Sequence, residues 1–202
     1  MGVADRKARD KEELKTLILD AAMKLFAEKG VENVTIRNIA EAAEYSVGTI
    51  YVYFKDKNAI LHALHTKGFT ALRGQFQVLN VVADPMERLR ASGRLYIQFA
   101  FQNPDMYDLM FNLEAPVDFV NEWADEKWNE GRVTFGFVRD VVQDCINAGH
   151  FNGHRAESLA FMVWGMVHGM CHLAITQRAS VVDLTSPVEE GYAEFIAIID
   201  KL

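Results

Sequence analysis

Residues 35–61 read T-I-R-N-I-A-E-A-A-E-Y-S-V-G-T-I-Y-V-Y-F-K-D-K-N-A-I-L, and the order of caps and apolar positions in this stretch decides the fold. Thr35 can accept from the free N–H groups that open a helix, and Ile36, Ile39, Ala40 and Ala43 then fall on its inner face. Ser46 repeats the device for another short helix, in which Ile50 and Phe54 lie four apart and point the same way. Val47, Gly48, Thr49, Val52 and Tyr53 are left on its other sides. Two short helices separated by a few residues make a helix-turn-helix.

The pattern continues on both sides. Upstream, Leu14, Leu17, Ile18, Ala21, Ala22, Leu25 and Phe26 recur with helical period until Gly30 stops the run. Downstream, Asp56 caps a longer helix carrying Ile60, Leu61, Leu64, Phe69, Leu72 and Phe76. Past a break near residues 82–85, further helical patterns run to Asn103-Pro104, from about residue 117 to 148, and through two last segments separated at residues 180–187. No run of alternating residues is long enough to build a sheet. The expectation is an all-α fold, with a three-helix helix-turn-helix domain at 1–55 and a helical domain at 56–202.

Between Leu159 and Ile175 apolar residues cover every direction around the axis, and such a helix must be buried on both sides. Gly165 and Gly169 let another backbone approach, and the last helix adds a stripe of Val188, Tyr192, Phe195, Ile199 and Leu202. A two-fold homodimer with a four-helix interface buries both segments, with Gly165, Gly169, Tyr192, Phe195 and Ile199 as interface candidates. A purely intramolecular core helix is the alternative.

Composition narrows the class. The chain has 202 residues, 50% hydrophobic and 24% charged, enough for a real core and unlike a disordered tail or a fibre. Cys145 and Cys171 lie in apolar stretches and read as packed thiols, which favours a reducing, cytoplasmic setting. The charged N-terminus lacks a secretory pattern, and the almost uncharged stretch from 159 to 176 contains His168 and His172 without a flanking basic cluster, so no membrane role is expected. The net charge of −7 is uneven: residues 1–67 hold 11 Lys/Arg against 10 Asp/Glu, whereas residues 68–202 hold 10 against 18. An acidic body repels DNA, so only the N-terminal end can approach it. Arg6, Lys7, Arg9 and Lys11 there suit a flexible arm that touches phosphates, although a solvated terminus reads the same way.

The motif, together with A-A-x-x-L-F-A-E-K-G at residues 21–30, resembles the DNA-binding region of the TetR family of bacterial transcriptional repressors. The run W-G-M-V-H-G from Trp164 resembles a C-terminal subtype named for a Trp, His, Gly pattern. The resemblance makes the helix after Ser46 the reader of the major groove of double-stranded DNA. Val47, Gly48 and Thr49 supply a small outer face, Tyr51 and Tyr53 hydroxyls near the groove walls, and Lys57 a charge where a phosphate would lie. Thr35 offers a hydroxyl beside free backbone N–H groups, and Arg37 a guanidinium for guanine. One departure stands out: where the family usually has Gly in the turn, this chain has Glu44, so a left-handed turn would cost roughly 1 kcal/mol and present a carboxylate to a polyanion.

In proteins of this resemblance the central helices enclose an effector pocket, for which Phe99, Tyr107, Met110, Phe111, Phe119, Trp123, Phe137, Met162 and Met166 are the candidates. They equally suit an ordinary core. Glu114, Asp118, Glu122 and Asp125 read as a solvated acidic face. His168 and His172 have the spacing of two metal ligands, but with no third partner no metal or cofactor is expected. No hydrolase, nucleotide or metalloprotease motif is present, and an enzyme is not expected. The reading is a homodimeric repressor released from a pseudo-palindromic operator by a small apolar or amphipathic effector. The alternative is a dimeric small-molecule sensor or carrier with a weakened DNA module.

Overall fold

The computed structural model describes residues 3–112 and 129–201. Its helices are α1 (Val3–Lys29), α2 (Ile36–Ala42), α3 (Val47–Tyr53), α4 (Lys57–Gln77), α5 (Pro85–Gln102), α6 (Pro104–Phe111), α7 (Asn129–Asn147), α8 (Ala156–Ile175) and α9 (Pro187–Ile199). No strand occurs among the described residues, and the fold is all-α. They group into two compact units, one of residues 3–68 with 105–112 and one of residues 69–104 with 129–201.

The first unit is a helix-turn-helix built around side chains with almost no exposure: Ile18 and Ala22 of α1, Ile39 of α2, Ile50 of α3, and Ile60 and Leu64 of α4. Truncating one such isoleucine to alanine costs about 2–5 kcal/mol, because the neighbours only partly collapse into the space. Gly30 ends α1 with φ 76, a left-handed conformation suited to glycine, and Val31 and Val34 then turn into the core. Gly68 has another use. A Cβ there would lie 2.5 Å from the Met110 sulfur and 2.8 Å from that of Met106, so its absence lets α6 press on the backbone of α4. The structure corrects the expectation of a flexible basic arm: α1 is already helical at Val3, and Arg9 pairs with Glu13 one turn on. Arg, Lys, Ala and Glu are good helix formers, and i,i+4 pairs support them.

The second unit packs α5, α7, α8 and α9 around Leu89, Val142, Cys145, Phe151, Ala160 and Ile199. Asp84 caps α5 by accepting from Glu87 N–H at 2.9 Å, and Pro85 occupies the first turn, where its missing N–H costs nothing. Arg88 reaches Asp144 at 2.8 Å, tying α5 to α7, and Arg90 reaches Asp200 beyond the end of α9 at 2.5 Å. Gly93 leaves room for the Tyr192 ring, whose hydroxyl donates to the Arg90 carbonyl at 2.6 Å. Burial pushes the Tyr192 phenol up to about 12. Cys145 and Cys171 are free and buried, and desolvation raises their thiols to about 11 and about 12, which keeps them protonated and unreactive.

Helix α8 is buried on one side only. Leu159, Ala160, Val163, Val167 and Cys171 face inward, while Phe161, Met162, Met166 and Leu173 are between 48% and 63% exposed. Nothing lies within 4 Å of where a Cβ on Gly165 or Gly169 would stand. By length and composition α8 is apolar enough to cross a membrane, a test that core helices also pass.

Candidate nucleic-acid interface

Thr35 and Asn38 form a reciprocal capping box at α2, with Asn38 N–H donating to the Thr35 hydroxyl oxygen at 3.2 Å and Thr35 N–H to Asn38 Oδ1 at 2.9 Å. Ser46 caps α3 by accepting from Thr49 N–H at 3.0 Å, and the Ser46 and Thr49 hydroxyls lie 2.9 Å apart. Between the helices Glu44 has φ 60, with its N–H on Glu41 C=O and Tyr45 N–H on Ala40 C=O, the paired bonds of a left-handed helix stop. The turn keeps the shape glycine would give it, with a glutamate in place.

What α3 turns outward differs from what it turns inward. Ile50 is fully buried, whereas Tyr51 is 54% exposed and Val52 75%, with Tyr45 and Val47 also exposed. An apolar and aromatic patch on a seven-residue helix gains nothing from water. Gly48 sits within this patch, and a Cβ there would meet only the Ser46 hydroxyl, at an ordinary 3.6 Å. The chain itself therefore has no need of glycine at position 48. A surface approaching from outside would.

Ser46, Val47, Gly48, Thr49 and Tyr51 are thus gathered on or beside one outward face. Tyr53 is half-buried against the core, and Arg37 stands on the exposed side of α2, paired with Glu41 at 3.1 Å. The Lys57 ammonium donates to the Val31 carbonyl at 2.8 Å, tying the start of α4 to the loop after α1. Two exposed residues beside these, Tyr45 in the turn and Val52 on α3, are not among the candidates for DNA contact, although the sequence already places Val52 off the buried side of its helix.

The effector candidates are scattered. Phe99, Tyr107 and Met110 are buried, Phe111 and Phe137 half-buried, and Met162 and Met166 exposed on α8; Phe119, Trp123 and the residues 114, 118, 122 and 125 lie outside the described ones. Tyr107, Met110 and Phe111 belong to the first unit, and Phe99, Phe137, Met162 and Met166 to the second. None of these seven lines the ≈ 540 Å³ groove between α5 and α9, nor the ≈ 20 Å³ void beside Trp164. Of the interface candidates, Gly165 and Gly169 lie open, Phe195 is half-buried, and Tyr192 and Ile199 are already buried inside this chain, because Gly93 and the second core receive them.

His168 and His172 stack with ring centroids 6.3 Å apart, and the Tyr96 hydroxyl lies 2.9 Å from His168 Nδ1. Burial first, and then the charge of His172, hold His168 below the ordinary imidazole range. No group of three or more potential metal ligands occurs among the described residues.

A helix-turn-helix unit whose second short helix is exposed on one face, followed by a helical unit, defines a class of helical regulators. The family model described as Bacterial regulatory proteins, tetR family, matches residues 18–64, and that described as Tetracyclin repressor-like, C-terminal domain, matches residues 89–198. The chain belongs to the TetR family of bacterial transcriptional regulators. A probable acrEF/envCD operon repressor of Escherichia coli (strain K12) is 28% identical over 136 residues, covering 65% of this chain and 62% of that protein. The regulator HbdR of Aromatoleum sp. (strain CIB) is 50% identical over 50 residues, covering 25% of this chain and 22% of its own length. The chain thus spans about three fifths and about a fifth of these two curated relatives. Among solved structures, the fatty acid degradation regulator FadR from Bacillus halodurans matches with a TM-score of 0.73 at 19% identity, over 90% of this chain and 94% of that one. FadR from Bacillus subtilis in complex with stearoyl-CoA matches with a TM-score of 0.73 at 17% identity, over 93% and 98%. These two likenesses describe the fold.

Proposed function

We propose that this chain is a cytoplasmic, homodimeric repressor that binds an operator through α2 and α3 and leaves it when a small amphipathic effector occupies the helical body. The observation that carries the reading is the outward face of α3, apolar and aromatic around a glycine that the chain's own packing does not require. Residues 1–55 are the DNA-binding domain in this reading and residues 56–202 the effector and dimerisation domain. The family membership supports a regulator, and the relative in Escherichia coli is itself named a repressor. The exposed side of α8, with Met162 and Met166 around the open Gly165 and Gly169, supports a second copy as its cover. The Trp-His-Gly subtype rests on the run W-G-M-V-H-G from Trp164 alone. An amphipathic effector is supported by the stearoyl-CoA named with the FadR structure of Bacillus subtilis.

The test is binding to a mixed-sequence 30-base-pair duplex across a salt series. The reading requires affinity that falls steeply with salt and falls further in Tyr51→Ala and Arg37→Ala proteins of unchanged mass in solution. Affinity indifferent to salt and to both substitutions would remove the reading face, and would leave the sensor or carrier, to which the strained Glu44 turn already points.

A further inference from the structure

We propose that the groove between α5 and α9 is a binding site for a small amphipathic monocarboxylate, separate from the DNA-reading face and from the effector candidates above. The groove holds ≈ 540 Å³, within the range of small-molecule sites. Its floor is apolar, made by Ile97, Phe101, Val188, Tyr192 and Ile196. The two helices run antiparallel, with Gly93 against Tyr192 and Arg90 against Asp200, so the groove follows α5 from Arg94 to Phe101. Seven residues of helix span about 10 Å, the reach of an apolar chain of about eight carbons.

The charges on the rim choose the headgroup. Helix α5 carries three arginines: Arg88 is held by Asp144, Arg90 by Asp200 and Glu87, and Arg94 by nothing among the described residues. Among the described residues the guanidinium of this helix left without a partner is the one on the groove, and a carboxylate is the group its fork of donors fits. Tyr192 cannot serve that headgroup, because its hydroxyl is spent on the Arg90 carbonyl. At the other end Glu189, in the first turn of α9, also makes no ion pair or hydrogen bond among the described residues. A second carboxylate reaching the Phe101 end would meet it. The groove therefore accepts octanoate and rejects octanedioate, which has the same number of carbons and a charge at both ends.

The experiment is a titration of isoleucine-methyl-labelled protein with each acid, followed by NMR. The Ile97 and Ile196 methyl signals should move saturably with octanoate at roughly millimolar concentration, as befits so few ligand atoms on an open groove. Arg94→Gln should weaken this about tenfold or more. Glu189→Gln should bring octanedioate within a few-fold of octanoate, a gain that damage to the fold cannot imitate. Signals that stay still, or move equally in Arg94→Gln, overturn the proposal. So do signals that respond to dilution of the protein instead of to octanoate, which would assign the groove to a second copy. Because neither substitution touches α2 or α3, duplex binding stays as in the parent if this proposal fails alone.

Discussion

Glu44→Gly should stabilise the protein by about 1 kcal/mol. Glu44 holds φ 60, where an L-residue crowds its own carbonyl at a cost of roughly 1–2 kcal/mol that glycine escapes. Part of that gain is offset by the greater freedom of glycine in the unfolded chain. The two bonds that close the turn, Glu44 N–H to Glu41 C=O and Tyr45 N–H to Ala40 C=O, are backbone bonds and survive the change. For a chain of this size about 1 kcal/mol raises Tm by roughly 2–4 °C. The substitution also removes a carboxylate from the edge of the proposed reading face. At about 10 Å in water a charge pair is worth roughly 0.4 kcal/mol before screening, so duplex binding at low salt should tighten by about twofold. Glu44→Gln separates the effects: it should match the gain in affinity and leave Tm unchanged. Thermal unfolding followed by circular dichroism, with anisotropy titrations of a labelled duplex, measures both. A Tm for Glu44→Gly at or below that of the parent would refute the strain argument.

Gly48→Ala should leave stability the same or slightly higher, because a Cβ fits, and should weaken duplex binding about tenfold or more by holding α3 away from the groove; a variant that binds as well as the parent counts against close approach there. His168 is held below its ordinary range by burial and by His172, so the unfolded chain takes up the proton first. Stability from this group is present above the unfolded value near 6.5 and is lost as pH falls below it, and His168→Gln should flatten the pH dependence of denaturant midpoints between about 7 and 5. Tyr192→Phe removes the bond to the Arg90 carbonyl and should cost about 1 kcal/mol in urea unfolding, with duplex binding unchanged once folded.

The first unit was legible in the sequence because its signals are local. Thr35, Ser46 and Asp56 announce helix starts within three residues of the N–H groups they satisfy, and Gly30 marks a stop. Even the cost at Glu44 could be read in advance from the turn it had to make. What depends on distant partners was not legible. The stripe of α9 declared that Tyr192 and Ile199 would be buried, but only the packing of Tyr192 against Gly93 and of Ile199 into the core of the second unit says that this chain buries them itself. The all-round apolarity of α8 could not say which side meets its own core, so the exposure of Met162 and Met166 was not legible in it. Lys57 stands where expected in the chain, yet its ammonium bends back to Val31, a bond across 26 residues that no spacing rule reports. That Arg94 has no partner among the described residues likewise becomes visible only once Arg88 and Arg90 have found their carboxylates.

Selection of bound fragments from a random duplex pool, repeated with the Tyr51→Ala protein, tests the account at its centre. An outward-facing α3 doubled by a two-fold partner should enrich an inverted repeat with half-sites about one helical turn, ~34 Å, apart, and the variant should lose that enrichment. A pool that stays random after selection, or the same enrichment from the variant, would contradict it.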